Sequence, residues 1–367
     1  MTGTCVGTVT ASTYVVRTEQ PEADGTLAWD STTVVLVEVA GGGQTGLGWT
    51  YSSRACQAVV EDVLADVVVG RDVEDVPGTW AAMVAAIRNL GRPGIASAAI
   101  AAVDSALWDL KAKQHEVALC TLLGQVREYV HVYGSGGFTT YDAGTLGRQV
   151  ESWTGELGIT RVKIKVGESG GTEVVRDLDR VRQVRALVGP EVEVFVDANG
   201  GYSRKQAIRV GRRLDELGVC WFEEPVSSDD LVGLRLVRDA LDCDVTAGEY
   251  GSDLAYFARM LGAGAVDCLQ ADVTRTAGIT EWRRVAALAE AAGVELSAHC
   301  APTLHLHVAS TVTGLRHVEW FADHVRLEAL MFDPAPRVRD GVMRPDVDRP
   351  GLGVELRASD VDTYRVA

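Results

Sequence analysis

From about residue 127 the sequence alternates between short β-branched segments and longer helical ones, and this alternation limits the possible folds more than any other feature. Eight apolar segments are typical of buried strands. They are 129–135, 161–167, 192–200, 219–225, 244–249, 266–272, 294–299 and 315–321. Helices are predicted between them, including 172–187, 203–217, 229–241, 253–262, 278–292 and 303–312. Strands that alternate with helices form a parallel sheet, and eight of them favour a closed (β/α) barrel.

A doubly wound open sheet is the competing fold for such a pattern. That fold needs a glycine-rich phosphate turn of the form G-x-G-x-x-G after a strand. The candidates GSGGF (134–138) and GESGG (167–171) do not fit this spacing. We therefore predict an α/β barrel.

The segments on either side of the barrel do not show this regular alternation of strands and helices. The first third reads as mixed α+β, with strands at 32–40 and 47–51 and helices at 53–69, 79–90 and 95–114. After the barrel the chain is rich in proline and irregular. We predict an N-terminal α+β domain over 1–126, the barrel over 127–335, and a segment 336–367 that returns to the first domain.

The composition and net charge limit the kinds of molecule that the protein is expected to bind. The formal charge of −16 repels nucleic acid and anionic membranes, but a local cation cluster or a metal can still bind a small anion. No run of about 18 apolar residues is present, so no membrane span is expected. The start MTGTCVGTVT lacks the features of a signal peptide. The seven cysteines are scattered and never form a C-x-x-C pair, which is typical of reduced thiols in a cytoplasmic protein.

Polar side chains lie where each predicted strand ends, and in a barrel these ends meet at the mouth that carries the active site. They are Ser135, Lys163, Lys165, Asp197, Asn199, Glu223, Glu224, Glu249, Asp272, His299 and Glu319. Glu223 follows Asp197 by 26 residues and Glu249 follows Glu223 by 26, which is about one βα unit each. Three successive strands are therefore predicted to present a carboxylate at the same height.

These three carboxylates predict a metal site. Converging carboxylates repel one another unless a cation neutralises them, and an all-oxygen set that leaves positions open suits Mg²⁺. Strand parity assigns Glu223 to this metal site and points Glu224 outward, as a partner that supports the ligands. A solvated or salt-bridged strand end explains any one carboxylate, but three in register favour the metal.

Lys163 and Lys165, two residues apart on one strand, point into the same mouth. Two ammonium groups near a divalent cation are expected to lower each other's pKa towards neutrality, which suits a general base. Across the barrel, Asp272 and His299 predict a second acid/base, because an aspartate bonded to Nδ1 fixes the imidazole tautomer. Glu319, on the next strand, is positioned to hydrogen-bond the substrate.

Taken in this order and spacing, the residues resemble the enolase superfamily, mandelate racemase subgroup. The motifs are Lys163-x-Lys165, Asp197-x-Asn199, Glu223-Glu224-Pro225, Glu249, Asp272, His299 and Glu319. The resemblance implies a modified TIM barrel, (β/α)7β, with an α+β capping domain built from the N-terminal third and the C-terminal tail. It implies one Mg²⁺ on Asp197, Glu223 and Glu249, and Lys165 as the base. Lys163 would adjust Lys165 and touch the substrate carboxylate. The family usually assembles as dimers or octamers.

The chemistry expected of such a site is removal of the proton α to a carboxylate. Loss of a β-hydroxyl would then give a 2-keto-3-deoxy acid, and the resemblance makes this dehydration of a sugar acid the commoner activity. Reprotonation from the opposite face would instead make the protein a racemase or epimerase of a 2-hydroxyacid. A catalytically silent barrel that only binds a ligand is a third reading.

Substrate contacts are expected from cap loops at 18–30 and 47–54, including Trp29 and Tyr51, and from Ser135 and Asn199 in the barrel. An ordinary acidic surface loop and a barrel-floor serine are equally compatible with these residues. Three nearby residues are interpreted as packing or surface positions. They are Cys300, for which no activating base or oxyanion hole is evident, and His305 and His307.

Overall fold

The structure is a computed structural model of the protein that describes residues 4–366. The chain begins with an antiparallel sheet that forms the cap. Its strands are β1 (Val6–Ala23), β2 (Ala28–Gly41) and β3 (Gln44–Tyr51), paired in that order. The cap helices are Ala55–Val59, Ala65–Val68, Val76–Ala86, Ile95–Gln114 and Leu119–Leu123, with a π-helical turn at Val60–Leu64. Helix Ile95–Gln114 is buried over most of its surface, as its apolar sequence predicts. Glycine is required where β3 meets this helix, because a Cβ on Gly46 would lie 2.1 Å from the Ala106 carbonyl oxygen.

The barrel follows, and its eight strands are those predicted. They are β4 (Val130–Gly136), β5 (Arg161–Lys165), β6 (Glu193–Asp197), β7 (Val219–Glu223), β8 (Asp244–Ala247), β9 (Cys268–Ala271), β10 (Glu295–Ala298) and β11 (Leu315–Phe321). All neighbours are parallel, and β11 pairs with β4 to close the barrel. The predicted modified TIM barrel with a cap is confirmed.

Helices cover the outside of the barrel. They are Ala143–Glu151, Val174–Val188, Arg204–Glu216, Leu231–Arg238, Leu254–Gly262, Ile279–Ala291, Pro302–Ala309 and Ala322–Met331, with shorter turns at Ser152–Glu156 and Glu168–Gly171. Several begin on an aspartate that the sequence supplies as an N-cap. Asp142 accepts a hydrogen bond from the Thr145 amide at 2.7 Å, and Asp253 accepts one from the Tyr256 amide at 2.8 Å.

Aromatic side chains fill the barrel interior below the mouth. Tyr133, Phe195, Trp221 and Cys268 form a buried cluster, and the Phe195 and Trp221 rings stack with centroids 5.2 Å apart. Inward-facing residues of neighbouring strands pack in layers in such barrels. This aromatic layer packs directly beneath the polar residues of the mouth.

The C-terminal segment contacts both the barrel and the cap. It contains β12 (Phe332–Asp333), β13 (Val342–Met343), β14 (Glu355–Leu356), the helix Ala358–Val361, a 3-10 turn Asp362–Tyr364 and β15 (Arg365–Val366). Strand β13 pairs with barrel strand β4, whereas β15 pairs with β1 of the cap. The domain boundaries at 126/127 and 335/336 stay a prediction. No helix among residues 4–366 is both long and apolar enough to cross a bilayer.

The segment 18–30, expected to be a loop, is instead the end of a long hairpin. Strand β1 continues to Ala23 and β2 begins at Ala28, so the turn between them is short. The hairpin tip is joined to the barrel mouth by two hydrogen bonds. The Thr139 amide donates to the Ala23 carbonyl and the Gly170 amide donates to the Gly25 carbonyl, both at 2.8 Å. The tip therefore covers one side of the mouth.

Candidate active site

The barrel register brings the predicted carboxylates together. Lys165 pairs with Asp197, and Asp197 pairs with Glu223, on the adjacent strands β5, β6 and β7. Glu249 lies just beyond the end of β8. Asp197, Glu223 and Glu249 are buried, and each offers an oxygen within 4.8 Å of the others. These three residues are called the carboxylate triad below.

Neighbouring groups hold the triad in place. The Asn199 amide donates to Asp197 Oδ1 at 2.9 Å. Trp221 Nε1 and Gln270 Nε2 both donate to Glu223 Oε2 at 3.0 Å. Burial raises the pKa of Glu223 to about 8, although the charge of Lys163 opposes this shift.

The donor set fits a hard divalent cation. Its buried carboxylate oxygens repel one another, and Asp197 contributes to the raised Glu223 pKa. All-oxygen carboxylate ligands suit Mg²⁺, which keeps several positions for water or substrate. The triad can therefore hold such an ion.

Both predicted lysines lie against the triad. Lys165 Nζ is 2.5 Å from Asp197 Oδ2, and Lys163 Nζ is 2.6 Å from Glu223 Oε1 and 2.9 Å from Glu319 Oε1. Burial alone would lower the pKa of Lys165, but the attraction of Asp197 outweighs it and raises the pKa above its usual value. Lys163 is affected in the same way, chiefly by Glu223. The pKa values of both lysines are therefore raised rather than lowered as had been expected, because each ammonium group contacts a carboxylate on a neighbouring strand.

The Asp272–His299 pair lies on the opposite side of the mouth. His299 Nδ1 is 2.8 Å from Asp272 Oδ2, and the other Asp272 oxygen accepts hydrogen bonds from the Thr274 amide and hydroxyl, each at 2.7 Å. Burial would raise the pKa of Asp272, but the hydrogen bond from His299 lowers it to about 2. The aspartate therefore stays ionised and fixes the imidazole with Nε2 facing the cavity.

A cavity of about 360 Å³ lies between the two sides. It is lined by Lys165 and by His299, and also by Asn199, Trp29 and Tyr51, which are three of the four residues predicted to contact substrate. Glu319 also lines it.

Six of the predicted site residues do not line this cavity: Lys163, Asp197, Glu223 and Asp272, whose contacts are given above, and Ser135 and Glu224. Ser135 is fully buried on β4 beside Lys163 and does not line the cavity. Glu224 follows β7 with a positive φ of 37° and is 1% exposed. Burial raises the pKa of Glu224 well above its usual value, and the charges of Glu249 and Asp197 add to the shift. Glu224 thus lies beside the triad rather than in solvent.

Sequence reasoning missed other residues of the cavity. Arg275 NH1 is 3.2 Å from Glu249 Oε1, and its guanidinium lies over the Tyr250 ring. The Tyr51 ring stacks on His324 with centroids 3.4 Å apart. Arg275 occupies a loop after Asp272, and nothing in its local pattern distinguishes it from a surface arginine. His324 faces the cavity only because the cap and barrel meet there.

The two histidines set aside from the sequence are both buried. The Val273 amide donates to His305 Nε2 at 3.0 Å, while His305 Nδ1 lies 2.8 Å from the Cys300 carbonyl. The Cys120 amide donates to His307 Nδ1 at 3.3 Å. Burial lowers the pKa of both rings. They pack neutral against backbone groups.

A closed barrel with a carboxylate triad between a lysine pair and a histidine–aspartate pair defines a metal-assisted barrel enzyme, and comparison with known proteins identifies the family. Residues 145–361 match the enolase C-terminal domain-like family. Residues 8–124 match the mandelate racemase/muconate lactonizing enzyme N-terminal domain. The chain therefore belongs to the mandelate racemase/muconate lactonizing enzyme group of the enolase superfamily, as its motifs indicated.

Named relatives cover most of the chain. L-talarate/galactarate dehydratase of Salmonella typhimurium is 32% identical over 88% of this chain and 80% of its own length. A crystal structure of that enzyme with Mg and L-lyxarohydroxamate superimposes with a TM-score of 0.92, at 28% identity, covering 100% of this chain and 94% of the other. The 3,6-anhydro-alpha-L-galactonate cycloisomerase of Streptomyces coelicolor is 34% identical over 86% of each. A mandelate racemase/muconate lactonizing enzyme-like protein of Rubrobacter xylanophilus is 46% identical, with a TM-score of 0.95 and coverage of 99% and 100%.

Proposed function

We propose that the protein is a Mg²⁺-dependent enzyme that removes the α-proton of a sugar acid and dehydrates it to a 2-keto-3-deoxy acid. The observation that carries this proposal is the pair of proton-transfer groups on opposite sides of one cavity. Lys165 and His299 both line it, and the carboxylate triad lies beside them. The named relatives include a dehydratase and a cycloisomerase of sugar acids, which agrees with a lyase or isomerase.

Each group has one task in this reaction. One Mg²⁺ on Asp197, Glu223 and Glu249 would supply the positive charge that stabilises the developing enediolate and offsets the carboxylates that raise the Lys165 pKa. Lys165 Nζ, as the neutral amine, takes the α-proton and becomes an ammonium. Lys163, held between Glu223 and Glu319, keeps a fixed positive charge next to Lys165.

His299 completes the dehydration. Burial would lower the pKa of its imidazole, but Cys300, Glu249 and Glu319 around the ring raise it well above the usual value. A protonated ring is the form needed to donate from Nε2. That proton passes to the β-hydroxyl, the carbon–oxygen bond breaks, and water leaves. The enol product then tautomerises to the 2-keto acid.

The cavity further favours a polyhydroxylated monocarboxylate. Among the described residues that line it, Lys165 and Arg275 are the lysine and arginine side chains, and each is already paired with a carboxylate. The far wall carries Thr32 and Asp323, which share a hydrogen bond. Burial lowers the pKa of His324 to about 3, so that ring is neutral. This wall can bond to hydroxyls but lacks a free cation for a second carboxylate.

Racemisation is the second candidate, because a base on each side of the α-carbon can exchange its proton with either face. Dehydration needs a β-hydroxyl to protonate, whereas racemisation does not. The distinguishing observation is therefore the product formed from one substrate in deuterated water.

The test is a panel of aldonic acids and their matching aldaric acids, assayed with Mg²⁺ for 2-keto products. An unpaired buried polar group costs about 1–3 kcal/mol, and a charged one costs more, so we expect kcat/KM for the best aldonic acid to exceed that of its diacid by at least about 5-fold. A preferred diacid would refute the monoacid preference and leave dehydration intact. Deuterium at the α-carbon without any keto product would favour the racemase, and no reaction with any acid would overturn the proposal.

A further inference from the structure

A second group of metal-binding atoms lies beside the carboxylate triad. His299, Cys300 and Glu319 each offer one ligand atom within 4.8 Å of the others, and all three side chains are buried. We call this group the sulfur site. Its thiol distinguishes it from the triad, because sulfur is a soft ligand and Mg²⁺ prefers oxygen.

The distances match tetrahedral zinc. Cys300 Sγ is 3.4 Å from His299 Nε2 and 3.4 Å from Glu319 Oε2, and these nitrogen and oxygen atoms are 3.7 Å apart. Tetrahedral bonds of about 2.3 Å to sulfur and about 2.0–2.1 Å to nitrogen or oxygen give ligand separations of about 3.4–3.6 Å. The three atoms therefore stand where one ion could bind them with little movement.

A fourth candidate ligand, Glu249, borders His299. Glu249 Oε2 lies 3.3 Å from His299 Nε2, is buried, and accepts no well-directed hydrogen bond. This contact with His299 is an ion pair without a well-directed hydrogen bond, and a carboxylate oxygen has a second lone pair with which to bind an ion. Glu249 borders both the triad and the sulfur site.

The surroundings also favour a metal. His299 Nδ1 is bonded to Asp272, which directs Nε2 towards Cys300 and Glu249 and gives the carboxylate–histidine support common at zinc sites. Glu319 uses Oε1 for Lys163, which leaves Oε2 on the side of the thiol. Cys300 is 4% exposed, and burial raises the pKa of its thiol, so the thiol keeps its proton until a metal displaces it.

We propose that His299, Cys300, Glu319 and Glu249 form an inhibitory site for a zinc-class transition metal that overlaps the substrate cavity. Binding displaces the Cys300 thiol proton and the His299 Nε2 proton into solvent, and places a thiolate and an imidazole nitrogen on the metal. The metal also occupies His299 Nε2, so it removes the proton donor of the dehydration. Binding follows from the geometry, whereas inhibition through His299 rests on the proposed function.

Cobalt(II) tests the binding directly, because a thiolate-to-cobalt charge-transfer band appears when the metal contacts sulfur. We expect this band in the wild-type protein, its loss in Cys300→Ser and Cys300→Ala, and its retention in the control Cys220→Ser. Cys220 is half-buried on β7, with Sγ 3.7 Å from the Val194 carbonyl and outside the cavity. A band that persists without Cys300, or no band in the wild type, would overturn the site.

X-ray absorption spectroscopy at the zinc edge measures the distances from bound zinc to its ligands in the wild-type protein. This readout does not depend on how well a variant folds. One sulfur at about 2.3 Å is expected in the zinc shell, and a shell of oxygen and nitrogen alone would refute the proposal.

Inhibition is tested separately at saturating Mg²⁺. Loss of a ligand should weaken zinc inhibition by at least about tenfold in Cys300→Ser, since loss of a supporting partner alone costs about 10–100-fold in affinity. Equal inhibition of both proteins would mean that zinc acts at the carboxylate triad, contrary to the proposal. Sulfur-bound metal without any inhibition would uphold the site and refute the role given to His299.

Discussion

Gly25, at the tip of the cap hairpin, offers a test of how the cavity is closed. A Cβ on this residue would lie 2.6 Å from the Ala198 carbonyl oxygen and 2.8 and 2.9 Å from those of Val166 and Gly167. Ordinary contact begins near 3.4 Å, so Gly25→Ala requires the tip to withdraw by about 3.4 − 2.6 = 0.8 Å. These carbonyls belong to the loops after β5 and β6, where the barrel cannot easily yield.

The cost follows from overpacking. Inserting a methyl group against fixed atoms costs about 1–3 kcal/mol, which is about 5–150-fold in the ratio of seated to withdrawn hairpin. Withdrawal breaks the hydrogen bonds that Thr139 and Gly170 donate to the tip. We therefore expect amide hydrogen exchange at both residues to accelerate by up to this factor. The KM for the substrate should rise with it, since Trp29 leaves the cavity wall.

The matched control is Gly262→Ala, because no atom lies within 4 Å of a Cβ at that exposed helix end. It should leave the exchange of both amides and the KM unchanged. Wild-type exchange rates and KM in Gly25→Ala would refute the argument that the seated hairpin forms part of the substrate site. An equal loss in both variants would also contradict it.

Three further outcomes are expected. Trp221→Phe removes one of the two side-chain hydrogen bonds to Glu223 Oε2, and titration should show Mg²⁺ affinity about 10–100-fold weaker with the barrel still folded. Burial raises the pKa of Glu22 to about 8. The contribution of Glu22 to stability is therefore complete below about pH 4.5 and is lost as the pH rises through 8. The thermal midpoint of Glu22→Gln should lack this fall, which scanning calorimetry at pH 5 and pH 8 can show. Removal of divalent ions with EDTA should abolish turnover, and Mg²⁺ should restore it, while activity that persists at full chelation would contradict a role for the triad.

Much of the barrel is visible in the sequence because its signals are local. Each strand is a short β-branched run followed by a helix, and the repeated spacing from Asp197 to Glu223 to Glu249 follows from one βα unit per carboxylate. The family motifs follow the same order, so the family could be recognised before the fold was known.

The cap and the electrostatics are harder to predict because they depend on contacts distant in sequence. Strand β1 is half exposed over much of its length, so its pattern is not clearly that of a strand. The raised lysine pKa values arise from Asp197 and Glu223 on other strands. The sequence indicates only a packing role for Cys300. Its contact with Glu319 depends on the register of β10 and β11, which the sequence does not reveal.

The central claim is that Lys165 removes the α-proton and His299 expels the β-hydroxyl from the other side. The most direct measurement is proton NMR of a reactive acid with Mg²⁺ in deuterated water, comparing Lys165→Ala with His299→Asn. His299→Asn should exchange the α-proton for deuterium without forming the keto acid, and Lys165→Ala should do neither. Exchange that persists in Lys165→Ala would contradict the account.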